Sequence, residues 1–172
     1  EPNTVTLRTN KSDAIELAEL VGQGARAKLL PSWGTILPPE SLVQLLLGYW
    51  RGDGSATGRE FSFASASRGL VEGVRLCLLR LGIVAGLYGR SNEGRRVRFP
   101  GGREIARGPL YVLSFSGANA HAWAKLVGLP APDCSERSAA RIIDGTAVYR
   151  VTSTRRVSYD GEVFDATVVD DH

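Results

Sequence analysis

Leu46-Leu47-Gly48-Tyr49-Trp50-Arg51-Gly52-Asp53-Gly54 decides how this chain is read. Gly48 and Gly52 are four residues apart, so on a helix they share one face and leave it bare of side chains. Ahead of them, Pro38-Pro39-Glu40-Ser41 reads as a helix start, and Leu42, Val43, Leu45, Leu46 and Leu47 as an apolar stripe. The spacing predicts a helix over residues 40–51, ended by Gly52-Asp53-Gly54. A carboxylate at a helix C-terminus faces the negative end of the macrodipole, which is unfavourable unless a cation compensates it. A bare helix face with an acid at its tip is what a metal site between two closely packed helices requires.

Upstream, residues 4–9 alternate as a short strand. Lys11-Ser12-Asp13 caps a helix that runs to about Val21, with Ala14, Leu17, Ala18 and Val21 as its expected buried face. Residues 28–33 form an irregular connector. Downstream, residues 59–65 alternate, Phe61, Phe63 and Ser65 on one face and Glu60, Ser62 and Ala64 on the other. Ser67-Arg68-Gly69 leads a helix to about Leu81, stopped by Gly82, with Leu70, Val74, Leu78 and Leu81 inward and Cys77 beside them. Residues 84–90 read as a strand, 91–94 as a turn, and 95–99 as the return strand, broken by Pro100-Gly101-Gly102. Residues 110–116 form a strand with Tyr111, Leu113 and Phe115 facing the core, and 119–127 a helix closed by Gly128. Beyond the linker that begins at Pro130, residues 138–143 suit a helical turn, and the texture then changes to strands at 147–152, 156–158 and 163–169. Residues 5–18 and 61–74 share a strand–cap–helix pattern at an offset of 56, a weak internal repeat.

The chain has 172 residues, 43% of them hydrophobic, enough for one ordinary domain with its own core plus a small appendage. Its two cysteines, Cys77 and Cys134, have no zinc spacing and nothing indicates that they pair. With neither a signal peptide nor a long apolar run, the expectation is a soluble, cytoplasmic chain with no membrane partner. The net charge of +3 is unevenly spread: residues 51–107 hold eleven Arg, no Lys and five acids, a local +6. The planar guanidinium binds phosphate and guanine bidentately, so an Arg-only excess points to nucleic acid. A solvated surface in a Lys-poor composition has the same signature.

The opening motif resembles the LAGLIDADG motif of homing endonucleases, with both packing glycines and the terminal Asp53-Gly54 kept and Arg51 in place of the first Asp of the name motif. Residues 60–83 resemble the strand and helix that follow that motif in intein-borne members. Lys28-Leu29-Leu30-Pro31-Ser32-Trp33 resembles the Lys-x-x-Pro-x-aromatic block that precedes the second motif copy in inteins. Tyr159-Asp160-Gly161-Glu162-Val163-Phe164-Asp165, continuing to His172, resembles the penultimate block of an intein splicing domain.

The resemblance implies an α+β fold: a LAGLIDADG half-domain of α-β-β-α-β-β-α type with a curved antiparallel sheet over 40–128, then a linker (129–145) and an incomplete all-β Hint-type splicing segment (146–172). Residues 1–39 would be a strand–helix region with its connector, read as a truncated first half. It further implies metal-dependent cleavage of double-stranded DNA. Asp53 would be the carboxylate ligand to Mg²⁺ and the Gly52 carbonyl a second ligand, with Lys28 the basic group near the phosphate. With one motif copy per chain, two acids require a homodimer or a partner half-domain packed through Gly48 and Gly52. The sheet would lie in the major groove, with Arg59, Ser62, Arg90, Arg95, Arg96, Arg98 and Arg103 as candidate DNA contacts. Trp33, Trp50 and Trp123 are expected to anchor the core, and His121 to be structural. Asp165 and His172 match splicing-block positions, and the chain as given is not expected to splice. The alternative is a DNA-binding or structural insert of a splicing domain that does not cleave.

Overall fold

The computed structural model describes residues 10–90, 96–98, 102, 104–106, 108–138 and 140–162. The strand expected at 4–9, the turn at 91–94 and the strand at 163–169 lie outside the described residues.

Helix α1 (Lys11–Val21) starts where Asn10 Oδ1 accepts from the Asp13 amide at 2.8 Å. None of its residues is buried, and Leu17 is 51% exposed. The expected inward face is therefore corrected: Ala14 and Leu17 are exposed and Ala18 and Val21 only half-buried, because a stripe is buried only as far as another element covers it. A one-turn helix α2 (Gly24–Ala27) and a 3-10 helix over Ser32–Ile36 complete the connector. Trp33 sits on the latter and is 45% exposed, so it does not anchor the core.

Helix α3 (Pro39–Asp53) has Pro39 at its first position and runs through Asp53, two residues beyond the expected end. Gly54 closes it, its N–H donating to the Trp50 carbonyl. A Cβ at residue 54 would collide with the Trp50 ring and carbonyl, so the chain can leave the helix here only as glycine. Strand β1 (Gly54–Ala56) turns back into β2 (Glu60–Ser65).

Helix α4 (Arg68–Arg80) follows, capped by Ser67, whose Oγ accepts from the Leu70 amide. Its buried residues are Val71, Val74, Cys77 and Leu78; Leu70 and Leu81 are half-buried, so the inward face is rotated by about one position from the expected one. Burial pushes the Cys77 thiol up, consistent with an inert core residue.

Strand β3 (Gly86–Arg90) does not pair with a return strand at 95–99. Its partner is β6 (Leu110–Ser116), whereas β4 (Arg96–Arg98) pairs with β5 (Glu104–Ala106) as a separate ribbon. Alternation reports that a segment is a strand and says nothing of its partner. Helix α5 (Ala118–Val127) ends at Gly128 in the left-handed conformation.

The main sheet is antiparallel throughout, in the order β1-β2-β6-β3. Phe61 stands opposite Phe115 and Phe63 opposite Leu113, and these four face α3, α4 and α5. Trp123 of α5 meets Phe63 and Phe115 edge-on at 5.7 and 6.3 Å, and is fully buried. Each large buried side chain contributes about 1.5–3 kcal/mol of apolar transfer. The opposite face carries a row of small polar residues, Ser55, Ser62 and Ser114, which ends at Gly86.

A hairpin completes the described chain: β7 (Ala140–Ile143) and β8 (Thr146–Tyr149), joined by Asp144 and Gly145 at φ 49° and 76°. The helical turn expected at 138–143 is thus a strand, and residues 156–158, expected to be a strand, carry none. Among the described residues, no helix is long and apolar enough to cross a membrane.

Candidate active site and nucleic-acid face

Lys28 and Asp53 both line a cavity of about 310 Å³, together with Tyr49 and an apolar wall of Val21, Leu29, Leu30, Pro31, Leu45, Leu46, Leu70 and Val74. Asp53 is exposed at the last residue of α3, and no ion pair engages it among the described residues. Lys28 is exposed just past α2.

What holds Lys28 there is a pair of features in α4. Ser67 Oγ donates to the Lys28 carbonyl at 2.5 Å while capping the helix. Gly69 and Gly73 then leave a bare strip into which the connector sinks. A Cβ on Gly69 would come within 2.7 Å of Leu29 Cδ2, and one on Gly73 within 3.0 Å of Leu30 Cβ. Sequence reading passed over both. The Gly69-Leu70-Val71-Glu72-Gly73 spacing, the same as in Gly48–Gly52, was the available signal.

Tyr49 was also passed over. Its hydroxyl donates to the Ala64 carbonyl at 2.9 Å and its ring stacks on Phe63 at 5.5 Å. These contacts tie the last turn of α3, and so Asp53, to β2. Burial first and the Asp53 carboxylate second, opposed by a hydrogen bond with Ser65, push its phenol up to about 12. Tyr49 is therefore a neutral donor across the physiological range.

Gly48 and Gly52 are exposed, and a Cβ at either would meet nothing within 4 Å. The face has room for a second helix at close range. Among the described residues no group of three or more Cys, His, Asp or Glu is placed to hold a metal ion. Asp53 presents an exposed carboxylate at the tip of α3, an oxygen donor of the kind a hard cation takes.

Of the expected DNA contacts, Ser62 lies on the sheet face away from the helices, in the row with Ser55 and Ser114. Arg90 occupies the matching register position at the end of β3, opposite Leu110. Arg59 is exposed in the β1–β2 turn, where Thr57 Oγ1 accepts from the Arg59 and Glu60 amides. Arg96 and Arg98 are exposed on the separate β4–β5 ribbon, and Arg96 pairs with Glu104 at 3.3 Å. Arg95, Arg103, Asp165 and His172 lie outside the described residues.

The Arg-rich stretch is not all available to a ligand. Arg80 donates to the Thr35 and Leu37 carbonyls at 2.6 and 2.9 Å, fixing the end of the 3-10 helix. Arg68 pairs with Glu72 on α4 at 2.8 Å. Arg75 lies 5.6 Å from the Tyr149 ring centre and donates to its hydroxyl. Of the three tryptophans, Trp123 is a core anchor and Trp50 is half-buried against Phe61. His121 Nε2 sits 3.0 Å from the Cys134 carbonyl, a structural contact.

Comparison with curated proteins gives no match. The family model of LAGLIDADG-like domains matches residues 40–128, from the start of α3 to the glycine that closes α5, and the chain belongs to that family.

Proposed function

We propose that the protein is a site-specific, Mg²⁺-dependent endonuclease of double-stranded DNA, carried by an intein, whose complete active site needs two α3 helices. The observation that carries this reading is the shared cavity of Asp53 and Lys28 at the tip of a helix whose glycine face is open. The second helix comes from another copy of the chain or from a partner half-domain.

In this reading Asp53 and the Gly52 carbonyl hold the ion on this chain's side. When bound, Mg²⁺ supplies charge stabilisation on the phosphate and activates water for attack. Lys28 sets its ammonium against the scissile phosphate and offsets the charge that builds there. Tyr49 keeps Asp53 in register through Ala64. Ser55, Ser62 and Ser114 face base edges, while Arg59, Arg90, Arg95, Arg96, Arg98 and Arg103 serve phosphates and guanines. Residues 146–172, with Asp165 and His172, belong to the splicing segment.

Cleavage of a plasmid library containing the uninterrupted host site, with Mg²⁺, tests the enzyme reading. Wild type should cut, and Asp53→Asn should lose at least about 10²-fold in rate while still binding duplex. A wild type that binds but never cuts leaves a DNA-binding insert.

A further inference from the structure

A second basic excess, separate from that of residues 51–107, sits in the tail. Residues 137–156 hold Arg137, Arg141, Arg150, Arg155 and Arg156 against a single acid, Asp144, and acids resume only at Asp160. All five arginines are exposed, and none forms an ion pair among the described residues.

The fold fixes where this charge goes. Asn119, only 6% exposed at the start of α5, accepts from the Val84 amide at 2.8 Å. Its Nδ2 donates to Ser138 Oγ at 2.8 Å and to the Ala140 carbonyl at 2.9 Å. Gly117, at φ 60°, lies so close to the Arg137 carbonyl that no side chain fits between them. The Arg75–Tyr149 contact holds the other strand of the hairpin against α4. The tail is thereby strapped across the end of the sheet where β3 begins and β6 finishes. There Arg150 lines a shared cleft with Gly86, Ser114 and Ser116, and the last three lie on the face opposite the helices. Arg155 and Arg156 follow within six residues in exposed backbone that is neither helix nor strand.

We infer that residues 137–156 form a second, phosphate-directed contact with duplex DNA that extends the sheet face beyond the LAGLIDADG domain. The inference rests on the DNA-binding reading above. It is a contact to the backbone alone: guanidiniums on a hairpin edge and an extended segment meet phosphates without a base-reading register. It therefore adds affinity and salt dependence, equally on every sequence.

The test is anisotropy of a labelled mixed-sequence duplex against the full chain across a salt series. Compared with wild type, Arg150→Ala/Arg155→Ala/Arg156→Ala should lower the slope of log K against log salt by about 2–3 and weaken binding roughly 10²-fold near 0.1 M salt. The Lys triple variant at the same positions should keep the wild-type slope. An alanine variant with the wild-type slope overturns the tail contact and leaves the DNA-binding reading standing. Loss of slope in both triple variants overturns it too, since charge would not be the cause. A wild type that binds no duplex at any salt overturns both readings.

Discussion

Two glycine pairs with the same spacing stand on neighbouring helices and meet opposite fates. Gly69 and Gly73 on α4 are filled from within the chain by Leu29 and Leu30. Gly48 and Gly52 on α3 face open space. A bare strip on a helix is an invitation to close approach, and spacing alone does not say who accepts it. On α4 the guest is the connector, which carries Lys28 to the rim of the cavity that Asp53 also lines. On α3 the face stays open, and in the proposed reading a second helix fills it and completes the site.

The sharpest way to break this comparison is to fill the open pair. Gly48→Leu should leave the chain's own stability unchanged or raise it by up to about 1 kcal/mol, since helix propensity improves and nothing is displaced. Double-strand cleavage should fall by at least about 30-fold, because overpacking of about 1–3 kcal/mol is felt on both helices of a pair. Thermal melts beside a cleavage assay read both numbers. Undiminished cutting would remove α3 as the meeting face.

Filling the occupied pair should do the reverse. Gly73→Leu meets Leu30 Cβ and should cost about 1–3 kcal/mol, lowering the melting temperature by about 2–4 °C for each. An unchanged melt would mean that the connector is not seated where α4 holds it.

The smallest expected effect concerns the residue that ties the open helix to the sheet. The Tyr49 phenol, at about 12 in the folded chain, lies above its ordinary 10.0. The unfolded chain therefore releases this proton first, and stability falls as pH rises from about 10 through about 12. Tyr49→Phe should flatten that decline in alkaline denaturation curves while costing about 1 kcal/mol at neutral pH from the lost bond to Ala64. A decline as steep as in wild type would assign it to other groups.

Much of the core was legible because local chemistry dictated it. Period-two alternation marked Phe61, Phe63, Leu113 and Phe115, and Ser67, Gly82 and Gly128 marked helix ends. Strand partners were not legible, since β3 pairs with a strand twenty residues away through contacts that no local pattern encodes. The stripe of α1 and the exposed Trp33 failed for the converse reason: amphipathicity predicts what a segment would bury if a neighbour came, and the described elements bury none of these residues. In the candidate site, Asp53 and Lys28 came from motif resemblance. Tyr49 and Ser67, which position them, act through backbone carbonyls of Ala64 and Lys28, and a carbonyl leaves no trace in the side-chain sequence.

Asn119 has a consequence for how this molecule divides. The family match ends at 128, yet the amide group of Asn119 finds both of its acceptors at 138 and 140. Severing the chain at the match boundary would strand a buried amide inside the remaining fold, at a cost of about 1–3 kcal/mol. The hydrogen-bonded unit is therefore longer than the stretch that carries the family's signature, and a truncation that keeps Asn119 has to keep residues 138–140 with it.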